Sequence, residues 1–309
     1  MKLQEIRFGC ELETVQRDRG TVARAIQSVV GGEVAHVGGS SSYDPWEVKD
    51  RVDRVWRVVA DASLTSVPAN LRAEVVSPIL TYDDIPELQE VVRAIRRCGA
   101  TTDDCTGIHV HLSHPDVTPK ALANLAKLIY KQQEIIYAAL GVNQQRMERY
   151  CKPIDPAFIE RIVRNPPRTM RQLNTQWYGR YVEHPQRYDS TRYSILNLNG
   201  YFVRQAVEMR AYSGSLHAGR VKAVILFSMA LLARAMNCRG ASAKKRTYDP
   251  ASARYDMRVF LISALKMNGP EFKTARAHLL RLMPGDSAWK HGRPKKAVKL
   301  VASMAGGER

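Results

Sequence analysis

Three short stretches of this chain carry ionisable side chains at alternate positions. They are Glu11 and Glu13 in Phe8-Gly9-Cys10-Glu11-Leu12-Glu13, His109 and His111 in Gly107-Ile108-His109-Val110-His111-Leu112-Ser113, and Glu208 and Arg210 in Ala206-Val207-Glu208-Met209-Arg210-Ala211-Tyr212. In extended chain, side chains two apart share a face. Each stretch therefore predicts a strand with one apolar face and one ionisable face. A fourth, Arg72-Ala73-Glu74-Val75-Val76-Ser77-Pro78, puts one carboxylate at the head of a β-branched run that Pro78 must end. Adjacent carboxylates repel and raise each other's pKa unless a cation sits between them. Collected on one sheet face, Glu11, Glu13, Glu74, Glu208, His109, His111 and Arg210 would form an oxygen-rich site with imidazole as a further ligand. Such a set suits Mg²⁺ or Mn²⁺. With an arginine beside the metals it suits nucleoside triphosphate chemistry. Each pair also has a plainer reading: Glu11 and Glu13 as a solvated edge strand, the two histidines as structural or zinc-binding.

The elements that must position these groups can be read in order. The alternation Leu3 to Phe8 predicts that the first strand begins near Leu3. Thr21 to Val30 reads as an amphipathic helix closed by Gly31-Gly32. Gly38-Gly39-Ser40-Ser41-Ser42 is a loop, and not a phosphate-binding loop, since no Gly-Lys-Ser/Thr follows. Trp46 to Ala60 is compatible with a helix or a strand pair; the pair is favoured. Asp61 to Leu64 forms a turn from which Asp61 could reach the site. Helices are predicted over Glu87–Arg97 and Lys120–Leu140, with Gly99 and Gly141 as their stops. Arg192 to Asn199 leads through a turn at Gly200 into the Glu208 strand. An apolar helix follows, Arg220 to Asn237, then a basic linker at 240–250, helical patterns over 251–266 and 271–282, and a basic tail containing His291-Gly292-Arg293-Pro294-Lys295-Lys296.

Composition narrows the classes. The apolar run Ala223–Ala233 is too short to span a bilayer, which takes roughly 20 residues, and reads as a core helix. Five cysteines without a Cys-x-x-Cys pair argue against a zinc ribbon or disulfide framework. No leader segment is evident at Met1-Lys2-Leu3-Gln4-Glu5, so a cytoplasmic protein with reduced thiols is expected. Cys10, beside Glu11, should face the core. The formal charge is +17. From Arg239 onward there are 16 Lys and Arg against 5 Asp and Glu, a surplus of 11. That excess favours an anionic partner: nucleic acid, an acidic peptide or another polyanion. Between Pro153 and Gly219 there are nine arginines and no lysine, and the arginine fork matches phosphate and carboxylate oxygens.

The order of these motifs resembles the putative amidoligase family, part of the glutamine-synthetase-like carboxylate–amine ligases. The ordered elements are Gly-x-Glu-x-Glu at 9–13, Asp-x-Ser at 61–63, Glu-Val-Val-Ser-Pro at 74–78, Gly-Ile-His-Val-His-Leu-Ser at 107–113, Arg-Tyr-x-x-Leu-Asn at 192–197 and Val-Glu-x-Arg at 207–210. The resemblance covers about residues 1–238 and implies an α+β fold. Its centre would be a curved, mostly antiparallel sheet of glutamine-synthetase catalytic-domain type, flanked by helices and holding ATP and Mg²⁺. Residues 239–309 would then be a basic helical extension with a mobile tail. It further implies Glu13 and Glu74, with Asp61, as ligands of one metal, and Glu11, His109 and Glu208 as ligands of a second. His111 and Asn197 would lie near the nucleotide, and Arg210 and Arg192 at the transferring phosphate. The implied substrates are a carboxylate and an amine, with a peptide or polyanionic acceptor as one form they could take. Two other readings stay open: a nucleic-acid-binding protein acting through the basic C-terminal region, and a metal-dependent hydrolase using the His-x-His strand. Oligomeric state is not legible.

Overall fold

A computed structural model describes residues 1–38 and 43–293. Positions 39–42 of the expected loop and Pro294-Lys295-Lys296 of the expected tail lie outside the described residues. The strands are β1 (Arg7–Val15), β2 (Glu33–His36), β3 (Trp46–Lys49), β4 (Val55–Val59), β5 (Arg72–Val76), β6 (Gly107–Ser113), β7 (Leu196–Asn197) and β8 (Val207–Ser213). They form one eight-stranded sheet in the order β2-β3-β4-β5-β1-β6-β8-β7. Every neighbouring pair is antiparallel. The protein is thus α+β, with the three strongest alternating motifs on adjacent central strands β1, β6 and β8.

Helices cover one face of this sheet. They begin with α1 (Arg19–Val30), α2 (Ile85–Arg97) and α3 (Pro119–Leu140). Asp18 caps α1 by accepting from Thr21 N–H at 2.8 Å, and Gly31 ends it at φ +70°, a conformation that favours glycine. Pro86 lies in the first turn of α2, where its missing N–H costs nothing, and Arg96 and Arg97 sit at the negative end of the dipole. Thr118 caps α3, and Gly141 at φ +63° stops it. Four shorter helices follow: α4 (Gln144–Arg149), α5 (Pro156–Arg164), α6 (Met170–Tyr178) and α7 (Asn199–Arg204). The apolar run lies within α8 (Ala218–Asn237), which packs on α2, α3 and β6. Among the described residues no helix is long and apolar enough to cross a membrane.

The core lies between sheet and helices. Phe8, Cys10 and Leu12 of β1, Val75 of β5, and Ile108, Val110 and Leu112 of β6 all belong to it, together with Ile225, Phe227 and Leu231 of α8. Each such fully buried side chain contributes roughly 1.5–3 kcal/mol. The later helices α9 (Ala253–Val259), continued by a wider turn to Ala264, and α10 (Lys273–Leu280) add Met257, Phe260 and Leu279 to the same core. Phe260 meets Phe227 edge-on at 6.4 Å, and α10 packs on α8.

Two expectations need correction. Leu3–Glu5 is a 3₁₀ turn and the first strand starts at Arg7. The Glu5 carboxylate accepts from Lys2 N–H at 2.8 Å, and the Met1 amine reaches Asn237 at the end of α8, so local polar bonds win over the alternation. Gly200 lies inside α7 rather than in a turn. Its N–H donates to Asn197 Oδ1 at 3.1 Å, and that side chain substitutes for a backbone acceptor at the helix start.

Candidate active site

Strand register brings the ionisable groups together. Across the ladder Glu13 stands opposite Glu74 and Glu11 opposite His109. His111 stands opposite Glu208, which has Asn197 on its other side. Residues directly opposite on one face are within contact reach, so five strands deliver these side chains to a single patch on the face away from the helices. A bulge completes it. Between Ile108 and Val110 the β6–β8 register shifts, and both Arg210 and Ala211 oppose His109. The extra residue inverts the alternation locally. Glu208 and Arg210 face the patch while Tyr212 turns to the helices, where its hydroxyl meets Ser228 Oγ of α8 at 2.5 Å.

The contacts are short. His109 Nδ1 lies 3.0 Å from Glu11 Oε2 and 3.7 Å from Glu208 Oε1, and its Nε2 lies 3.6 Å from Glu13 Oε1. His111 Nε2 is 2.9 Å from Glu11 Oε1 but off the hydrogen-bond direction, and this buried nitrogen has no hydrogen-bond partner. Glu208, with no exposed surface, accepts from Asn197 Nδ2 at 2.7 Å and from Arg210 Nη1. Arg210 Nε also donates to the Tyr150 carbonyl at 3.3 Å. Glu13 Oε2 accepts the Gly107 N–H at 2.5 Å. Ligand atoms of Glu11, His111 and Glu208 all lie within 4.8 Å of one another.

Electrostatics divides the carboxylates into two kinds. Burial alone would raise Glu208, but Arg210, His111 and His109 outweigh it and hold the carboxyl at about 2. Burial likewise opposes ionisation of Glu11, and the two imidazoles beside it pull it well below the usual carboxylate range. Glu13 and Glu74 go the other way. Burial pushes Glu13 up, helped by Asp61 and countered by His109 and Arg146. Burial and then the charges of Glu11, Asp61 and Glu13 drive Glu74 well above its ordinary value. The pair at Glu13 and Glu74 is therefore short of positive charge. Burial lowers His111, yet Glu11 and Glu208 raise it overall. Cys10 points into the core, and burial pushes its thiol far up, as expected of an inert thiol.

These groups open into a cavity of about 710 Å³. Its floor includes Glu11, Glu13, Glu74, Asp61 and His109; its walls carry Arg57, Arg146, Arg187, Arg192, Arg204 and Arg210. His111, Glu208 and Asn197 do not line it: His111 and Glu208 contact its lining residues Glu11 and Arg210 from behind, and Asn197 holds Glu208. Asp61 sits on the loop after β4 and accepts from Ser63 N–H at 2.7 Å. Arg192 lies 5.1 Å from the Tyr188 ring and 5.7 Å from Tyr193, and its buried Nε has no hydrogen-bond partner. All ten residues singled out from the sequence thus meet in one place, though the tightest triad contains His111 where His109 was expected. The walls were less visible. Arg146 is buried, and donates to the carbonyls of Cys105 and Thr106 at 3.1 and 2.9 Å. A Cβ at Gly107 would come within 2.4 Å of its guanidinium, so that glycine makes its approach possible. Tyr43 and Tyr188 meet hydroxyl to hydroxyl at 3.2 Å at the rim. The arginine-rich, lysine-free segment signals Arg187, Arg192, Arg204 and Arg210, but nothing local in the sequence marks Arg146 or the tyrosines.

The residues present fit a divalent cation. The His111 imidazole converges with two ionised carboxylates, Glu11 and Glu208, and burial and neighbouring charge raise the adjacent acids Glu13 and Glu74. Oxygen donors with one or two imidazoles are a hard-metal set. The antiparallel sheet thus carries this cluster inside an arginine-walled cleft. Comparison with known proteins gives the class: a family model described as "putative amidoligase enzyme" matches residues 4–232, and the chain belongs to that family. It falls therefore among the ligases, and the matched span contains every site residue described above. A search of curated proteins returned no match.

Proposed function

We propose that this protein is an ATP- and Mg²⁺-dependent carboxylate–amine ligase that forms an amide or isopeptide bond through an acyl phosphate. The observation that carries the reading is the pairing of two acid sets under one ring of arginines. Glu11, His111 and Glu208 would hold one cation, and Glu13, Glu74 and Asp61 a second, with His109 between the sets. Bound cations would neutralise phosphate oxygens and so lower the barrier to attack by another anion. Arg210 and Arg192 would face the transferring phosphoryl group, where fixed guanidinium donors stabilise charge as it spreads over the equatorial oxygens. Asn197 is a positioning residue: its amide, fixed at both ends, holds Glu208 in register.

In this reaction a substrate carboxylate oxygen attacks the γ-phosphorus, the bond to the bridging oxygen breaks and ADP leaves. The amine then attacks the acyl carbon, the carbon–oxygen bond to phosphate breaks, and the amine gives up one proton. A free carboxylate would have to expel oxide, which is why phosphorylation must come first. The test is incubation with ATP, Mg²⁺ and pools of amino acids, polyamines and carboxylated polymers, read by mass spectrometry. The expected products are ADP, phosphate and a condensate lighter than its parents by one water. Glu13→Gln and Glu208→Gln should each abolish all three. ADP release that persists in both variants, or condensation without ATP, would overturn the assignment.

A further inference from the structure

We propose that a second pocket, on the helix side of the sheet, binds a phosphate-sized oxyanion through Arg220, Arg281 and His278. The pocket lies away from the cleft. It is lined by Ile108 and Tyr212, whose side chains face the helices, by Ser213, Gly214 and Ser215 at the end of β8, and by parts of α3, α8 and α10. Its volume is about 90 Å³. On the same measure the cleft holds about 710 Å³, so this smaller space suits a compact anion better than a nucleotide.

The charge pattern asks for that anion. Arg220 and Arg281 line the pocket together with His278. His217 packs edge-on against His278 with ring centroids 4.9 Å apart. His217 Nδ1 accepts the Arg220 N–H at 3.3 Å, which leaves its Nε2 as the donor. Gly219 permits this crowding, since a Cβ there would lie 2.6 Å from His278 Nε2. Among the described residues no carboxylate pairs with any of the four groups. The buried Nε of Arg220 has no partner. Arginines held together at the polar edge of a largely apolar pocket, with an orphaned guanidinium donor, are stabilised by an oxyanion that accepts from several of them at once. Burial, then His217, Arg220 and Arg281, depress His278, in keeping with an uncompensated positive field.

Inorganic phosphate is the probe. Titration calorimetry on the full chain, against chloride at equal ionic strength, should show saturable phosphate binding. Arg220→Ala and Arg281→Ala should each weaken it about tenfold or more, the loss of one charge-assisted bond. Arg281 is exposed, so its replacement leaves the fold intact even if Arg220→Ala does not. Arg192→Ala, in the cleft, should leave the component lost in Arg281→Ala unchanged. Phosphate binding that survives Arg281→Ala but falls in Arg192→Ala would place the anion in the cleft and overturn the proposal. So would equal responses to phosphate and chloride. The ligase reading is not engaged by either result.

Discussion

Replacing Glu74 by Gln should make the cation-free protein more stable at neutral and alkaline pH. Glu74 stands across the ladder from Glu13, with Asp61 and Glu11 close by. Burial and these three charges push its pKa well above the usual 4.5. A carboxyl whose folded pKa exceeds its unfolded value binds an extra proton in the native state. Its contribution to stability is full below the unfolded value and is lost as pH rises through the folded one. Inside that window the loss is about 1.4 kcal/mol per pH unit for one proton. Gln cannot ionise, so the advantage of the variant should be near zero at pH 4, grow with that slope, and then level off. The measurement is urea unfolding in chelator across pH 4 to 9, comparing midpoints at constant m-value. Divalent cations should reverse the order, since mass action stabilises whichever form binds them. Parallel pH curves for the two proteins in chelator would refute the crowding of these acids, and with it the basis for placing a cation there.

Other perturbations follow from the same structure. Glu208→Ala leaves Arg210 buried without its main partner and should cost about 3 kcal/mol or more by urea unfolding, less whatever Glu11 and Glu13 recover. The double variant with Arg210→Met should regain most of that stability while remaining inactive. Arg54 joins Asp50 and Asp84 at 2.8 Å each and Glu87 at 3.1 Å. Burial opposes ionisation of Asp50 and Asp84, but hydrogen bonds and Arg54 depress both below 3.8, so their stabilisation is present above that value and vanishes as pH falls through the folded values. Arg54→Ala should therefore cost about 1–3 kcal/mol at pH 7, a difference that circular dichroism should see shrink towards pH 3. Tyr212→Phe should cost about 1 kcal/mol, because Ser228 keeps its 2.8 Å bond to the Val224 carbonyl when the tyrosine hydroxyl is gone.

What could be read from the chain and what could not differ in kind. The strands β1 and β6 follow from alternation, because one face had to be apolar to reach α8 and the other was full of charge, and the Glu74 strand follows from its β-branched run. Trp46–Ala60 resolved into β3 and β4 because Asp50 takes the Val52 and Arg54 N–H groups and closes the turn between them. Arg146 gave no local sign of its place, since it serves the site by bonding carbonyls forty residues away in sequence. The bulge in β8 is the more telling case. A strict period of two through Glu208, Arg210 and Tyr212 would send the tyrosine into the cleft with the charges, where its ring would fill space the cavity needs. Ala211 and Tyr212 fit either face by composition, so only the pairing partner decides. Ile108, committed to the core, holds Tyr212 on the helix side, and the extra residue opposite His109 absorbs the mismatch. The sheet can thus present Glu208 and Arg210 to one side and anchor α8 from the other within five residues. Deleting Ala211 should therefore disturb both faces together.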